Sequence, residues 1–232
     1  MSLGSKARVA GLLYVLASAV GVVRLLIVPS KLFVHGDAAA TVANIAAHEW
    51  FFRVGIASEL VGAVLWFFVP IALYRLLNDV DHELAVLMVI LGAVMQVPLF
   101  FVNSATDVAT LQLARGGDFF GAIDAPQRAA LAMLFLDLHH HIDLANAIFW
   151  GLWLVPYGIL VYRSNFLPRF LGVWLIGACL AWLAFSAAGF LFPDHEGAVY
   201  RWSQPLMLGE VVTMLWLAIA GARERRPSSD GN

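Results

Sequence analysis

Residues 84–107 read LAVLMVILGAVMQVPLFFVNSATD, 24 positions in which Asp107 is the sole ionisable side chain. A helix needs about 20 predominantly apolar residues to cross the hydrocarbon core of a bilayer, so this run is long enough to span. Its polar residues are not scattered. Gln96, Asn103, Asp107 and, just beyond, Thr110 follow one another at intervals of seven, four and three, which sets them on one helical face. Polar side chains inside a membrane are costly and normally face protein or a cavity, so one segment predicts both a span and part of a site.

The rest of the chain repeats the pattern. Of 232 residues, 61% are hydrophobic and 13% are Asp, Glu, Lys or Arg, and the mean hydropathy is +0.81. Ordinary soluble domains carry about 25% charged residues, enough to clothe a wetted surface; this chain is predicted to be clothed by lipid. Further apolar runs fall at 9–28, 51–73, 142–162, 169–192 and 203–221. The expected fold is therefore all-α, a six-transmembrane-helix bundle forming one domain over residues 1–222, with a short polar cytoplasmic tail over 223–232. Pro29, Asn78-Asp79-Val80-Asp81, Gly116-Gly117-Asp118, Pro168 and Pro193-Asp194 punctuate the runs. The first run mimics a signal peptide behind Lys6 and Arg8, but it contains Arg24 and lacks a small-residue cleavage site, which predicts a retained span.

Two stretches between runs are predicted as short interfacial helices on the outer side. Residues 37–50 follow Asp37, a suitable N-cap. Residues 126–141 begin with Pro126 and carry Leu131, Leu134, Phe135 and Leu138 at helical spacing. A faint repeat relates Trp66 and Pro70 in the second run to Trp153 and Pro156 in the fourth, although interfacial aromatics and kinking prolines recur for their own reasons.

Cytoplasmic loops retain Lys and Arg. With the N-terminus inside, Lys6, Arg8, Arg75, Arg163, Arg169, Arg223, Arg225 and Arg226 are cytoplasmic, against Lys31, Arg115, Arg128 and Arg201 outside. Both termini are expected inside. A net charge of −2 with no basic stripe excludes nucleic acid as a partner and leaves membrane lipids and a small amphiphilic ligand. The single Cys179 excludes an intrachain disulfide.

On this topology the polar residues collect in the outer half. Arg53 and Glu59 fall there in the second span, Asn103 and Asp107 in the third, Asp143 and Asn146 in the fourth, and Glu210 in the sixth. His139, Asp143 and Asn146 share a face at i, i+4 and i+7. These eight residues are the predicted lining of an outward-facing ligand pocket between helices. His139 and Asp143 are also candidate ligands for a divalent metal such as zinc, since imidazole and carboxylate suit that ion. His139, His140 and His141 diverge by about 100° each around a helix, so the three cannot share one ion.

Plainer readings stand beside these. The histidine triplet is a solvated cluster at a helix end, Arg53 and Glu210 form a buried structural ion pair, and Asn103 joins helices. No phosphate-cradling glycine loop, nucleophile elbow or HExxH motif is present. Three functions remain: a binding protein for a small amphiphile, lipid or cofactor; a membrane-embedded enzyme, metal-dependent or not, using His139 as general base or metal ligand with an acidic partner on a lipid-like substrate; and a small transporter.

Several segments carry a family resemblance: Asn44-Ile45, Phe52-Arg53-Val54-Gly55 with Glu59, Leu73-Tyr74-Arg75, Leu136-Asp137-Leu138-His139, Leu208-Gly209-Glu210 and, most specifically, Tyr162-Arg163-Ser164-Asn165-Phe166-Leu167-Pro168-Arg169-Phe170-Leu171-Gly172. Together they resemble the bacterial membrane family called domain of unknown function 4386, over most of the chain. The resemblance implies a helical fold in the bacterial inner membrane and brings no established activity. The family pattern matches at Arg53, Glu59, His139 and Glu210 and departs at Ile142, His140 and His141.

Overall fold

The computed structural model describes residues 2–117, 120 and 122–222. The polar tail 223–232, with its three arginines, and Asp118 of the glycine turn lie outside the described residues. Regular structure among the described residues is helical throughout. Helix α1 (Leu3–Val22) runs through a π-helical turn (Val23–Ile27) into α2 (Val28–Leu32), followed by α3 (Ala38–Ala47) and α4 (Glu49–Leu77). Helix α5 (His82–Val89) continues through a second π-helical turn (Ile90–Val94) towards α6 (Val97–Arg115). Then come α7 (Ala125–Leu152), α8 (Leu154–Arg163), α9 (Arg169–Leu191), a 3-10 turn (Pro193–His195) and α10 (Glu196–Ile219).

Among the described residues, five helical stretches are long and apolar enough to cross a membrane: Leu3–Leu32, Glu49–Leu77, His82–Arg115, Ala125–Arg163 and Arg169–Leu191. Their outward faces bear the solvent expected of lipid. Leu12, Leu16, Val61, Val94, Val173 and Leu180 are each at least half exposed, an arrangement that water would penalise. Helix α10 is not among the five; it closes the bundle by packing on α1 and α9.

Local chemistry accounts for the element ends. Ser2, Asp37 and Asp81 each accept a backbone N–H of the first turn that follows, and Asp124 with Gln127 forms a reciprocal capping box ahead of Pro126. The two π-helical turns precede Pro29 and Pro98, which lack the N–H that would bond the carbonyl four residues back. Beside the second turn the Gln96 amide ties the helix to α7, donating to the Leu91 and Phe149 carbonyls at 3.1 Å each.

The expected break at residue 141 does not occur. The segment 126–141 and the start of the fourth run form the single helix α7, because His139, Asp143 and Asn146 face protein and leave no backbone in need of water. The interruption falls at Trp153 instead, where Pro156 removes the donor for the Leu152 carbonyl. Residues 37–50 split at His48 into α3 and the first residues of α4.

Glycines set the tightest helix contacts. A Cβ on Gly158 would lie 2.6 Å from the Gly172 carbonyl, and one on Gly11 would meet the α10 backbone at Leu217 and Ala218. Close backbone approach of this kind is how helices gain packing energy where lipid removes the hydrophobic drive. Two apolar cores result. The larger, around Tyr14, Leu73, Met88, Trp153, Tyr157 and Leu175, fills the half of the bundle nearer the N-terminus. The smaller, around Val28, Ile45, Phe52, Leu111 and Leu136, lies under α3. The buried charges sit between the two.

A charged cluster beside an aromatic cavity

The cluster begins with Arg24. The π-helical turn ahead of Pro29 carries its side chain inward, where the guanidinium grips both carboxylate oxygens of Asp107 on α6, Nε donating to Oδ2 and an Nη to Oδ1 at 2.6 Å. Such turns occur often at functional sites. Arg24 also lies 5.9 Å from each of the Phe33 and Phe52 ring centres, cation–π contacts that support a desolvated guanidinium. Asp107 has no solvent exposure and Arg24 5%, so neither charge is met by water.

His139 on α7 stands against this pair. Its Nδ1 lies 3.2 Å from Asp107 Oδ1 and 3.2 Å from the Arg24 guanidinium, with the Thr106 hydroxyl at 3.4 Å. Its Nε2 points the other way, 3.5 Å from Asp143 Oδ2 one turn along the same helix and 3.9 Å from Glu59 Oε1 on α4. Each carboxylate is held from behind. Asn103 donates to Asp143 Oδ1 at 2.7 Å, and the Ser104 hydroxyl donates to Glu59 Oε2 at 3.3 Å. Glu59, Asp107 and His139 each offer a ligand atom within 4.8 Å of one another, but both Asp107 oxygens are already committed to the guanidinium.

A cavity of about 250 Å³ opens beside the cluster. Arg24, Glu59, His139 and Asp143 line one part of it; Trp66, Phe100, Trp150 and Trp153 supply aromatic wall; Glu210 contributes a further carboxylate. Glu210 accepts a hydrogen bond from the Tyr14 hydroxyl. The Tyr14 ring packs edge-on to Trp66 and tilted against Trp153, which joins the aromatic wall to the larger apolar core. Small residues of α1 and α4, among them Gly21 and Gly62, leave the space open.

Five predicted site residues therefore converge, namely Glu59, Asn103, Asp107, His139 and Asp143, and Glu210 joins them across the cavity. Arg53 stands elsewhere. It pairs with Glu49 one turn away at 2.7 Å with 43% of its side chain exposed, and Arg115 shares that carboxylate at 3.1 Å. The expected Arg53–Glu210 ion pair is not formed, because Glu49 offers Arg53 a partner in a solvated position. Asn146 is wholly buried but outside the cavity lining, and neither of its amide atoms has a hydrogen-bond partner. His140 turns to Glu196 at 3.1 Å and His141 to the Asp137 carbonyl at 2.8 Å, so His139 alone of the triplet enters the bundle. Arg24, Ser104 and Thr106 belong to the cluster although helical stripes did not single them out. For Arg24 the available signal was a charge inside an apolar run.

Residues 9–221 match a protein family described as Domain of unknown function (DUF4386). The chain belongs to that family. No curated protein and no solved structure matches it. The DUF4386 match encloses every residue of the cluster and every residue lining the cavity, from Ala17 to Glu210.

Proposed function

We propose that this DUF4386 protein is a six-span protein of the bacterial inner membrane, with both termini cytoplasmic, that binds a small amphiphilic ligand in its cavity. The observation that carries the reading is the cavity itself. Charged side chains and aromatic rings line it together, the combination found in small-molecule pockets, in which apolar walls bury the ligand and a few polar groups orient it. The polar part of the ligand then meets Glu59, His139 and Asp143, and its apolar part lies along Trp66, Phe100 and Trp150. Counting α10 as the sixth span returns the chain to the side on which it began. The excess of Lys and Arg in the loops on that side supports N-in, C-in, which places the charged cluster in the outer half.

Gly21 offers the test. It lines the cavity, and a Cβ built on it meets no atom within 4 Å, so the side chain of Gly21→Leu enters open space at its root and takes up cavity volume. In lipid nanodiscs, a short-chain brominated alcohol should quench the fluorescence of Trp66 and Trp150 saturably in the wild type. Gly21→Leu should lose the saturable component while keeping its thermal midpoint. Equal saturable quenching in both proteins would remove the binding reading.

A second reading, an enzyme acting on a lipid-like substrate, is favoured by one observation. His139 is oriented through Nδ1 by Asp107 and presents Nε2 beside the cavity, the posture of a general base or metal ligand. A transporter has less support, because Tyr14, Trp66, Trp153 and Tyr157 pack together beside the cavity and the half of the bundle beyond them is apolar.

A further inference from the structure

We propose that Glu59, His139 and Asp143 form a binding site for one divalent metal ion of the zinc type, with Ser104, Asp107 and Asn103 holding the three ligands from behind. Distance is the first argument. Two ligand atoms at about 2.0–2.1 Å from a tetrahedral ion stand about 3.3–3.4 Å apart. Nε2 of His139 is 3.5 Å from Asp143 Oδ2 and 3.9 Å from Glu59 Oε1. Both separations exceed a good hydrogen bond, which closes at about 2.7–3.2 Å. The two edges that meet at Nε2 match those of a coordination sphere, the longer one after a carboxylate shift of about half an ångström that brings Glu59 towards Asp143.

The outer partners form the second argument. Every one of the three groups has its far atom engaged and its near atom free for an ion: Nδ1 faces Asp107, Oδ1 of Asp143 accepts from Asn103, and Oε2 of Glu59 accepts from Ser104. A metal-bound histidine characteristically donates its other N–H to a carboxylate, which fixes the tautomer and leaves the lone pair on the metallated nitrogen. Asp107, held by Arg24, is that carboxylate in the tautomer the site requires, the Arg24 guanidinium standing equally near Nδ1 at 3.2 Å. The guanidinium is thereby spent on Asp107 and kept from competing for the two ligand carboxylates.

Charge balance is the third. With His139 neutral, the single positive charge of Arg24 faces the three carboxylates Asp107, Glu59 and Asp143, all largely or wholly buried. Unbalanced charge at this depth is expensive. One divalent ion cancels the remainder and makes the cluster formally neutral. Three protein ligands leave a coordination position for a ligand from the cavity, the pattern of reactive rather than structural zinc sites. If the amphiphile-binding reading also holds, the head group the ion selects is a Lewis-basic oxygen or nitrogen. Metal binding itself does not depend on that reading.

The experiment is metal analysis and Co²⁺ spectroscopy on the full chain in nanodiscs, after chelator treatment and reloading. The wild type should take up about one Zn²⁺ per chain, and Co²⁺ should give the visible band of a low-coordinate nitrogen and oxygen site. Glu59→Gln and Asp143→Asn, which keep side-chain shape, should each weaken Zn²⁺ at least 100-fold. Ser104→Ala, which removes the hydroxyl shared between Glu59 Oε2 and the Phe100 carbonyl, should weaken it about 10-fold, within the range for outer-partner losses. Gly21→Leu should keep full metal occupancy while losing saturable quenching, so failure of the metal site and failure of the amphiphile pocket read differently. Wild type without stoichiometric Zn²⁺ and without the Co²⁺ band overturns the proposal, and so does undiminished binding in the folded Glu59→Gln and Asp143→Asn proteins.

Discussion

Replacing Arg24 by Gln leaves Asp107 with no cation on it in a site without solvent exposure. Breaking a buried pair by removing one partner costs about 3–5 kcal/mol, most of it the penalty of the abandoned charge. Asp107→Asn strands the guanidinium instead and falls in the same range by the same reasoning. The double replacement Arg24→Gln with Asp107→Asn leaves two neutral amides that can bond one another, and no unpaired charge. It should therefore cost no more than either single change, giving a coupling energy of about 3 kcal/mol, the upper end for residues in direct contact. Reversible unfolding in mixed detergent, followed by the intrinsic fluorescence of the eight tryptophans, measures all four proteins of the cycle. Singles within about 1 kcal/mol of wild type, or a double mutant whose loss equals the sum of the singles, would refute the buried-pair account.

Two further replacements separate the cluster from its surroundings. Arg53→Ala should cost under about 1 kcal/mol, because exposed ion pairs contribute little, and should leave saturable quenching unchanged; a lost quenching signal would return Arg53 to the site. Asn146→Leu should be neutral or stabilising by about 1 kcal/mol, since it replaces a buried, unpaired amide by an apolar group of similar volume, and a clear drop in unfolding free energy would show that the amide is satisfied after all.

Much of the site was legible because lipid makes polarity conspicuous. Asn103 and Asp107 share a face of one apolar run, His139 and Asp143 share a face of another, and the two faces meet. The helical angle between neighbours also separated His139 from His140 and His141, which turn to Glu196 and Asp137. Arg24 was hidden by a backbone event. Pro29 forces a π-helical turn, and that turn rather than a regular stripe aims the guanidinium at α6. Arg53 misled because its partner, Glu49, lies one turn back in the first turn of the same helix, where regular spacing cannot distinguish a solvated end from a buried one. The continuity of α7 was missed for a related reason: a cluster rich in histidine and aspartate looks like a break until its inward face is known to be paired. Helix α10 is not among the stretches apolar enough to span, and it carries Glu196, Arg201, Gln204 and Glu210; Glu210 is used by the cavity and Glu196 by His140.

Groups from α4, α6, α7 and the first π-helical turn converge on one cavity within the bundle, where the proposed ligand would lie. Cryo-electron microscopy of the protein in lipid nanodiscs, bound to an antibody fragment for size, measures this most directly. Arg24, Asp107 and His139 are expected in mutual contact, with density between Trp66 and Trp150 whose polar end abuts Glu59 and Asp143. Arg24 and Asp107 held apart on separate surfaces, with α1 and α4 closed over the space beside Gly21, would contradict it.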